Sequence, residues 1–124
     1  MSNLARDNQE LASALVGALA GGGLRHVVAS PGARSAPLLL AVAGCPAIRL
    51  HLVLDERVAG FVALGLAKVS GRAVGLLCTS GSAAAHYYPA VLEAEAAGVP
   101  LLVLTSNRPP ELHGCADVSQ HRIH

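Results

Sequence analysis

The chain contains few aromatic residues, few charges and few cysteines. Aromatic side chains make up 2% of its 124 residues and charged side chains 14%. A core without large rings is built from Ala, Val and Leu, which favours close packing of helices on a sheet. Cys45, Cys78 and Cys115 are an odd number at irregular spacing. This pattern argues against a disulfide framework.

An excess of charge of either sign is also absent. Nine basic and eight acidic residues give a formal net charge of +1, and no basic run occurs. This balance argues against an electrostatic nucleic-acid binder. The first ten residues are polar and acidic, unlike a signal peptide. The longest apolar stretch, residues 36–48, is shorter than the roughly 20 residues that cross a bilayer. We therefore expect a cytoplasmic protein without a membrane span.

Apolar periodicity alternates between the periods of helices and strands. It predicts helices over 3–20, 35–44, 55–70 and 82–97, and strands over 25–29, 48–54, 73–78 and 101–105. In the first helix Leu11, Leu15, Ala18 and Leu19 share one apolar face. Pro89 should kink or restart the fourth helix. Nearly all-apolar strands separated by helices predict an α/β fold, a doubly wound parallel sheet with helices on both faces.

Ligands of such folds bind at the loops that follow the carboxyl ends of the strands. This rule selects four loops, SPGARS (30–35), LDER (54–57), TSGSA (79–83) and SNRPPE (106–111). The polar and unusual residues of the chain are concentrated in them. We therefore predict a site at this edge of the sheet.

Glu56 is the first candidate in these loops, because it lies between an apolar strand and an apolar helix. A carboxylate there is poorly solvated and could share or donate a proton near neutrality. Alternatively, it is an acidic residue of the first helical turn, favoured by the helix dipole, or an ion-pair partner of Arg57. The residues alone leave these alternatives open.

The other loops offer cations and very small residues. Ser35 can cap the following helix, and Arg34 lies where free helix N–H groups would favour an anionic ligand. Arg108 adds a second cation to the same edge. Thr79 and Gly81 would let a flat ligand approach the backbone closely. Each of these residues, taken alone, also fits a plain turn or a solvated surface position.

Histidine and cysteine are frequent near the C-terminus, at His113, Cys115, His121 and His124. These residues match no standard spacing of metal ligands. We therefore predict no metal site within this chain.

Four stretches occur in order along the chain, SPGARS (30–35), DERVAGFVALGLAKVSG (55–71), TSGSAAAHYYPAVLEA (79–94) and LTSNRPPEL (104–112). Together they resemble the N-terminal, pyrimidine-binding domain of thiamine-diphosphate enzymes, and in particular the menaquinone-pathway 2-succinyl-5-enolpyruvyl-6-hydroxy-3-cyclohexene-1-carboxylate synthases. Acetolactate synthases and related decarboxylases share the fold and the glutamate, but typically lack D-E-R and R-P-P-E-L. The resemblance predicts a domain over residues 1–115 and an irregular tail over 116–124.

The resemblance implies a reaction and roles for the candidate residues. Thiamine diphosphate decarboxylates 2-oxoglutarate, and the resulting succinyl carbanion adds to isochorismate. Glu56 would be the activating carboxylate at the cofactor's pyrimidine ring, which the loop with Thr79 and Gly81 passes. Substrate carboxylates would be bound by the residues that match the family there, Arg34, Ser35, Arg108 and Gln120. Ala33 departs from the family, which commonly has Ser at this position, so one substrate hydrogen bond would be lost.

The resemblance also implies partners for the chain. Thiamine diphosphate and Mg²⁺ both require the family's diphosphate-binding domain, for which no segment here is a match, so we expect the chain alone to be inactive. The third helix is apolar nearly all round. Its second side needs a cover, and we predict a homo-oligomer, most simply a two-fold dimer. The alternatives are an acetolactate-type domain and a non-catalytic α/β binding module.

Overall fold

A computed structural model describes residues 3–109 of the chain. The helices are α1 (Asn3–Gly21), α2 (Ala36–Ala43), α3 (Glu56–Ser70) and α4 (Tyr88–Ala97), and the strands are β1 (His26–Ala29), β2 (Arg49–Leu52), β3 (Val74–Cys78) and β4 (Leu101–Thr105). All four strands are parallel. The predicted α/β fold is confirmed. The domain limit predicted at residue 115, and the predicted tail, lie outside the described residues.

The strand order is β2-β1-β3-β4. From β1 the chain passes through α2 to β2 on one side, and α3 then returns it to β3 on the other side of β1. The direction of winding therefore reverses between β1 and β3. In open parallel sheets, ligands bind in the crevice outside the carboxyl ends of the two strands at such a switch point.

Two apolar cores lie on the two faces of the sheet. One core joins the sheet to α1 and α2 through Val16, Val27, Ala29, Val42 and Leu77. The other joins it to α3 and the segment before α4 through Val28, Ala59, Ala63, Ala67, Leu76, Cys78 and Tyr87. Alanines supply the α3 side of this core. The expectation of close packing through small side chains is confirmed.

The face predicted for α1 is partly buried only at Leu19, which packs against the core. Leu11 and Leu15 are 70% and 40% exposed, and the buried residues of this helix are Ala12 and Val16. A shift of one residue turns the buried face by about 100°. Val16 belongs to the core that it shares with Val42 of α2, and Leu19 packs against the same core.

Helix boundaries follow local chemistry. Asp55 caps α3 by accepting a hydrogen bond from the Arg57 amide at 2.9 Å, and Gly71 ends the helix in the left-handed region with φ 65°. The helix predicted over 82–97 is divided into a 3₁₀ segment, Gly81–Tyr87, and α4. Pro89 lies in the first turn of α4, so the predicted restart at this proline is confirmed.

The second helix also begins later than predicted. Residues Ala33–Ser35 form a 3₁₀ turn, and α2 starts at Ala36 with Pro37 in its first turn. Proline is tolerated there because the amide that it lacks would have no partner within the helix.

Between residues 3 and 109, no helix combines the length and the apolar character needed to cross a membrane.

Candidate functional site

Two loops meet across the switch point between β1 and β3. Gly32 follows β1 and lies against Thr79, which follows β3. A Cβ atom added to Gly32 would lie 2.4 Å from the Thr79 Cβ, closer than real side chains approach each other. Glycine is therefore required here for packing, and the contact fixes the two loops relative to each other.

Ser35 closes the loop after β1. Its buried hydroxyl donates to the Gly32 carbonyl at 2.9 Å and accepts from the Gly32 amide at 3.2 Å. The predicted side-chain cap on α2 is not formed, because the turn already uses the hydroxyl. Ser35 thus holds the turn that presents Arg34.

Both candidate arginines lie against the loop after β3. Arg34 is exposed, and its Nη1 donates to the Ser80 hydroxyl at 3.4 Å. Gly81 has φ 76°, and a Cβ on it would lie 4.0 Å from Nη2 of Arg108. Two guanidinium groups therefore converge on adjacent residues of one loop. Planar guanidinium forks fit carboxylates, so this loop is a candidate site for an anionic ligand.

Two neighbouring carboxylates at the start of α3 have different surroundings. Arg57 donates to Asp55 through Nη2 at 2.6 Å and Nε at 3.0 Å, and these hydrogen bonds hold the pKa of Asp55 well below its usual range. The alternative of an ion pair between Glu56 and Arg57 is therefore wrong, since Arg57 pairs with Asp55. Glu56, the first residue of α3, is half-buried.

The charge of Glu56 reaches two buried polar side chains, Cys78 of β3 and Tyr87 of the 3₁₀ segment before α4. The Tyr87 hydroxyl donates to the Leu77 carbonyl at 2.9 Å. Burial raises the pKa of Tyr87 above its usual value and that of the Cys78 thiol to about 11. The charge of Glu56 adds to both pKa shifts. Its carboxylate therefore acts electrostatically on this buried group.

Sequence reasoning missed two residues of this edge, Ser30 and Tyr87. By sequence Ser30 is the first residue of the loop SPGARS, although it directly follows a buried strand. Tyr87 is one of two tyrosines in the chain. A buried tyrosine usually finds a hydrogen-bond partner for its hydroxyl, but the sequence alone does not distinguish Tyr87 from the exposed Tyr88.

The remaining predictions concern Gln120 and metals. Gln120 lies outside the described residues, as do the histidines and cysteine near the C-terminus. Within residues 3–109, no cluster of three or more His, Cys, Asp or Glu side chains could hold a metal ion.

A family model described as thiamine pyrophosphate enzyme, N-terminal TPP binding domain, matches residues 9–124. The chain belongs to this family. Thiamine pyrophosphate is another name for thiamine diphosphate. Relatives of this thiamine-pyrophosphate domain include several proteins named 2-succinyl-5-enolpyruvyl-6-hydroxy-3-cyclohexene-1-carboxylate synthase.

The synthase of Thermobifida fusca is 56% identical over 104 residues, which are 84% of this chain and 19% of that protein. That of Myxococcus xanthus is 54% identical over 114 residues, 92% of this chain and 19% of that protein. That of Synechococcus elongatus is 59% identical over 93 residues, 75% of this chain and 16% of that protein. The chain thus spans less than a fifth of the length of these curated relatives.

Proposed function

We propose that this thiamine-pyrophosphate domain binds the pyrimidine half of the cofactor in a synthase that decarboxylates 2-oxoglutarate and adds the succinyl carbanion to isochorismate. The observation that carries the proposal is the convergence of Arg34 and Arg108 on the loop of Ser80 and Gly81. Both substrates are multiply anionic. The names of these three relatives support this reading and do not favour an acetolactate-type enzyme.

Glu56 is the proposed activating carboxylate. Thiamine diphosphate, when bound, supplies the thiazolium carbon that attacks the oxo acid. The chain supports this chemistry by holding Glu56 half-buried at the sheet edge, where its carboxylate can hydrogen-bond the pyrimidine ring and favour the imino tautomer. Arg57 does not compete for this carboxylate, because Asp55 engages it.

The loop of Thr79 and Gly81 is the proposed wall of the pyrimidine site. Gly81 presents no side chain, and its φ of 76° is suited to glycine. Thr79 is held against Gly32. The diphosphate and its Mg²⁺ are proposed to bind to another part of the full-length protein, as the family resemblance implies.

Substrate carboxylates are proposed to bind Arg34 and Arg108. Ser35 is buried and bonded to Gly32, so its proposed contribution is to hold the turn of Arg34. Gln120 completes the proposed substrate contacts. The full-length protein is proposed to be a cytoplasmic homodimer.

The first prediction tests Glu56. In a full-length synthase that carries this chain as its N-terminal domain, Glu56→Gln lowers the rate of cofactor activation by about 100-fold, as for loss of a positioned acid–base group. The measurement is the exchange of the thiazolium C2 proton for deuterium at saturating thiamine diphosphate and Mg²⁺. The matched control is Glu93→Gln on the exposed side of α4, which keeps the wild-type rate. Wild-type exchange in the Glu56→Gln enzyme would refute the proposed role.

A further inference from the structure

Ser30 is a buried serine at the carboxyl end of β1, 1% exposed. Its hydroxyl donates to the Val53 carbonyl at 2.8 Å. The neighbouring Ala29 carbonyl accepts from the Val53 amide at 3.0 Å. Both polar backbone groups of Val53 are therefore bound to the end of β1, one through the backbone and one through the Ser30 side chain.

Glu56 lies only three residues after Val53. The two hydrogen bonds of Val53 therefore restrain the chain just before Glu56. Val53 itself comes directly after the last residue of β2. Asp55 caps α3 through the Arg57 amide and so fixes the far side of the same turn. The turn between β2 and α3 is thus held at both ends, and Ser30 provides the side-chain bond at its beginning.

Ser30 is also held from the other side of the switch point. Its amide donates to the Leu77 carbonyl of β3 at 2.9 Å. The same carbonyl accepts the Tyr87 hydroxyl at 2.9 Å, and the Tyr87 hydroxyl also interacts with that of Ser30. One buried serine therefore joins the ends of β1, β2 and β3.

We propose that Ser30 is a positioning residue for Glu56. Its bond to Val53 fixes the turn from which Glu56 projects, and thereby the place of the carboxylate relative to the sheet edge. The inference rests on the proposed role of Glu56. Ser30 is buried and its hydroxyl is bonded to Val53, so its proposed effect on cofactor activation passes through Glu56.

The test is a double-mutant cycle in a full-length synthase that carries this chain as its N-terminal domain. The variants are Ser30→Ala, Glu56→Gln and the double variant, each assayed for C2 proton exchange at saturating thiamine diphosphate and Mg²⁺. With Glu56 present, Ser30→Ala slows exchange about 10-fold, because small misplacements of reacting groups are costly. In the Glu56→Gln background it changes the rate by less than about twofold, since the group through which it acts is gone.

Ser70→Ala is the matched control. Ser70 also bonds a backbone carbonyl, that of Ala67, but at the opposite end of α3. The Ser70→Ala enzyme keeps the wild-type exchange rate. Circular dichroism of the 124-residue chain verifies that Ser30→Ala is folded at the assay temperature.

The outcomes separate the two hypotheses. Equal slowing by Ser30→Ala in both backgrounds would show a general structural role and overturn the inference. An unchanged Ser30→Ala rate beside a slow Glu56→Gln enzyme would overturn the positioning role alone. Wild-type exchange in the Glu56→Gln enzyme would overturn the proposed role of Glu56, and the positioning role with it.

Discussion

At the scale of single residues, the site depends on positions where one extra atom matters. Gly32 has an extended backbone with φ −160°, which any residue can adopt. Its requirement for glycine is therefore one of space, because the Thr79 side chain occupies the position of a Cβ atom. The energetic consequence is overpacking and not backbone strain.

The second prediction compares two glycines. Gly32→Ala lowers the free energy of unfolding by about 1–3 kcal/mol, because the loops after β1 and β3 must move apart. Gly17→Ala is the control in α1, where a Cβ would meet nothing within 4 Å, and it raises the free energy of unfolding by about 0.5–1 kcal/mol. Urea unfolding of the 124-residue chain measures both changes. Equal stability of the Gly32→Ala chain and the wild type would contradict the packing argument.

At the scale of elements, β2 is an edge strand with a histidine contact to β1. Nδ1 of His26 lies 3.0 Å from Nε2 of His51, and the rings stack with centroids 5.3 Å apart. At least one imidazole must be neutral to accept this hydrogen bond. Burial chiefly, and then the charges of His26 and Arg49, lower the pKa of His51 below its usual value of 6.5.

The third prediction follows from the sign of this shift. Because the pKa of His51 is lower in the folded chain than in the unfolded chain, the unfolded state binds more protons below pH 6.5. Stability is therefore lost as the pH falls through about 6.5. In urea unfolding between about pH 7 and pH 5, His51→Gln loses less stability than the wild type. His86→Gln, exposed before α4, is the control with wild-type pH dependence. Equal losses in all three chains would refute the assignment to His51.

Helix boundaries that depend on local capping and proline chemistry can be predicted well from the sequence. Asp55 and Gly71 mark the ends of α3, and Pro89 marks the restart before α4. The buried face of α1 could not be predicted in full, because leucine and alanine both fit an apolar face and only tertiary packing selects between them. Local patterns give boundaries, whereas the choice of face depends on tertiary contacts.

In the candidate site, too, local patterns could be predicted from the sequence, whereas tertiary contacts could not. The strand-end rule located Arg34, Glu56, Thr79 and Arg108 in loops at one edge, because parallel strands share the direction of their carboxyl ends. The rule could not find the bond between Ser30 and Val53, since it joins residues 23 positions apart across two strands. Pairing of Arg57 with Asp55, and not with Glu56, likewise depends on the geometry of the first turn of α3.

At the scale of the whole molecule, one face of α3 is apolar and open. Phe61 is 51% exposed, and Val58 and Val62 lie exposed beside it. These exposures agree with the prediction that this helix is apolar on both sides. The small residues of α3 occur on both the buried and the exposed face. Gly60, Ala63 and Ala67 are buried within the chain, and Gly65 is exposed.

The fourth prediction is that the 124-residue chain self-associates through this face of α3. Light scattering after size exclusion gives a dimer mass at high concentration and a lower mass on dilution. Phe61→Glu weakens the association by at least about tenfold, because it places a charge in an apolar contact. Leu40→Glu on the exposed side of α2 is the control and associates like the wild type. A wild-type chain that stays monomeric at all concentrations would contradict the prediction.

The small-residue packing under α3 limits how this sequence can diverge. A Cβ on Gly60 would lie 2.9 Å from the Ala90 Cβ of α4, and Ala59, Ala63 and Ala67 are fully buried beside it. A larger residue at Gly60 pushes α3 away from α4, and a larger residue at one of the alanines pushes it away from the sheet. Either change also moves the turn that carries Glu56. Residues of α3 can therefore vary in size only on the exposed half of the helix. Substitutions on the buried half of α3 therefore affect the position of the Glu56 carboxylate as well as the stability of the fold.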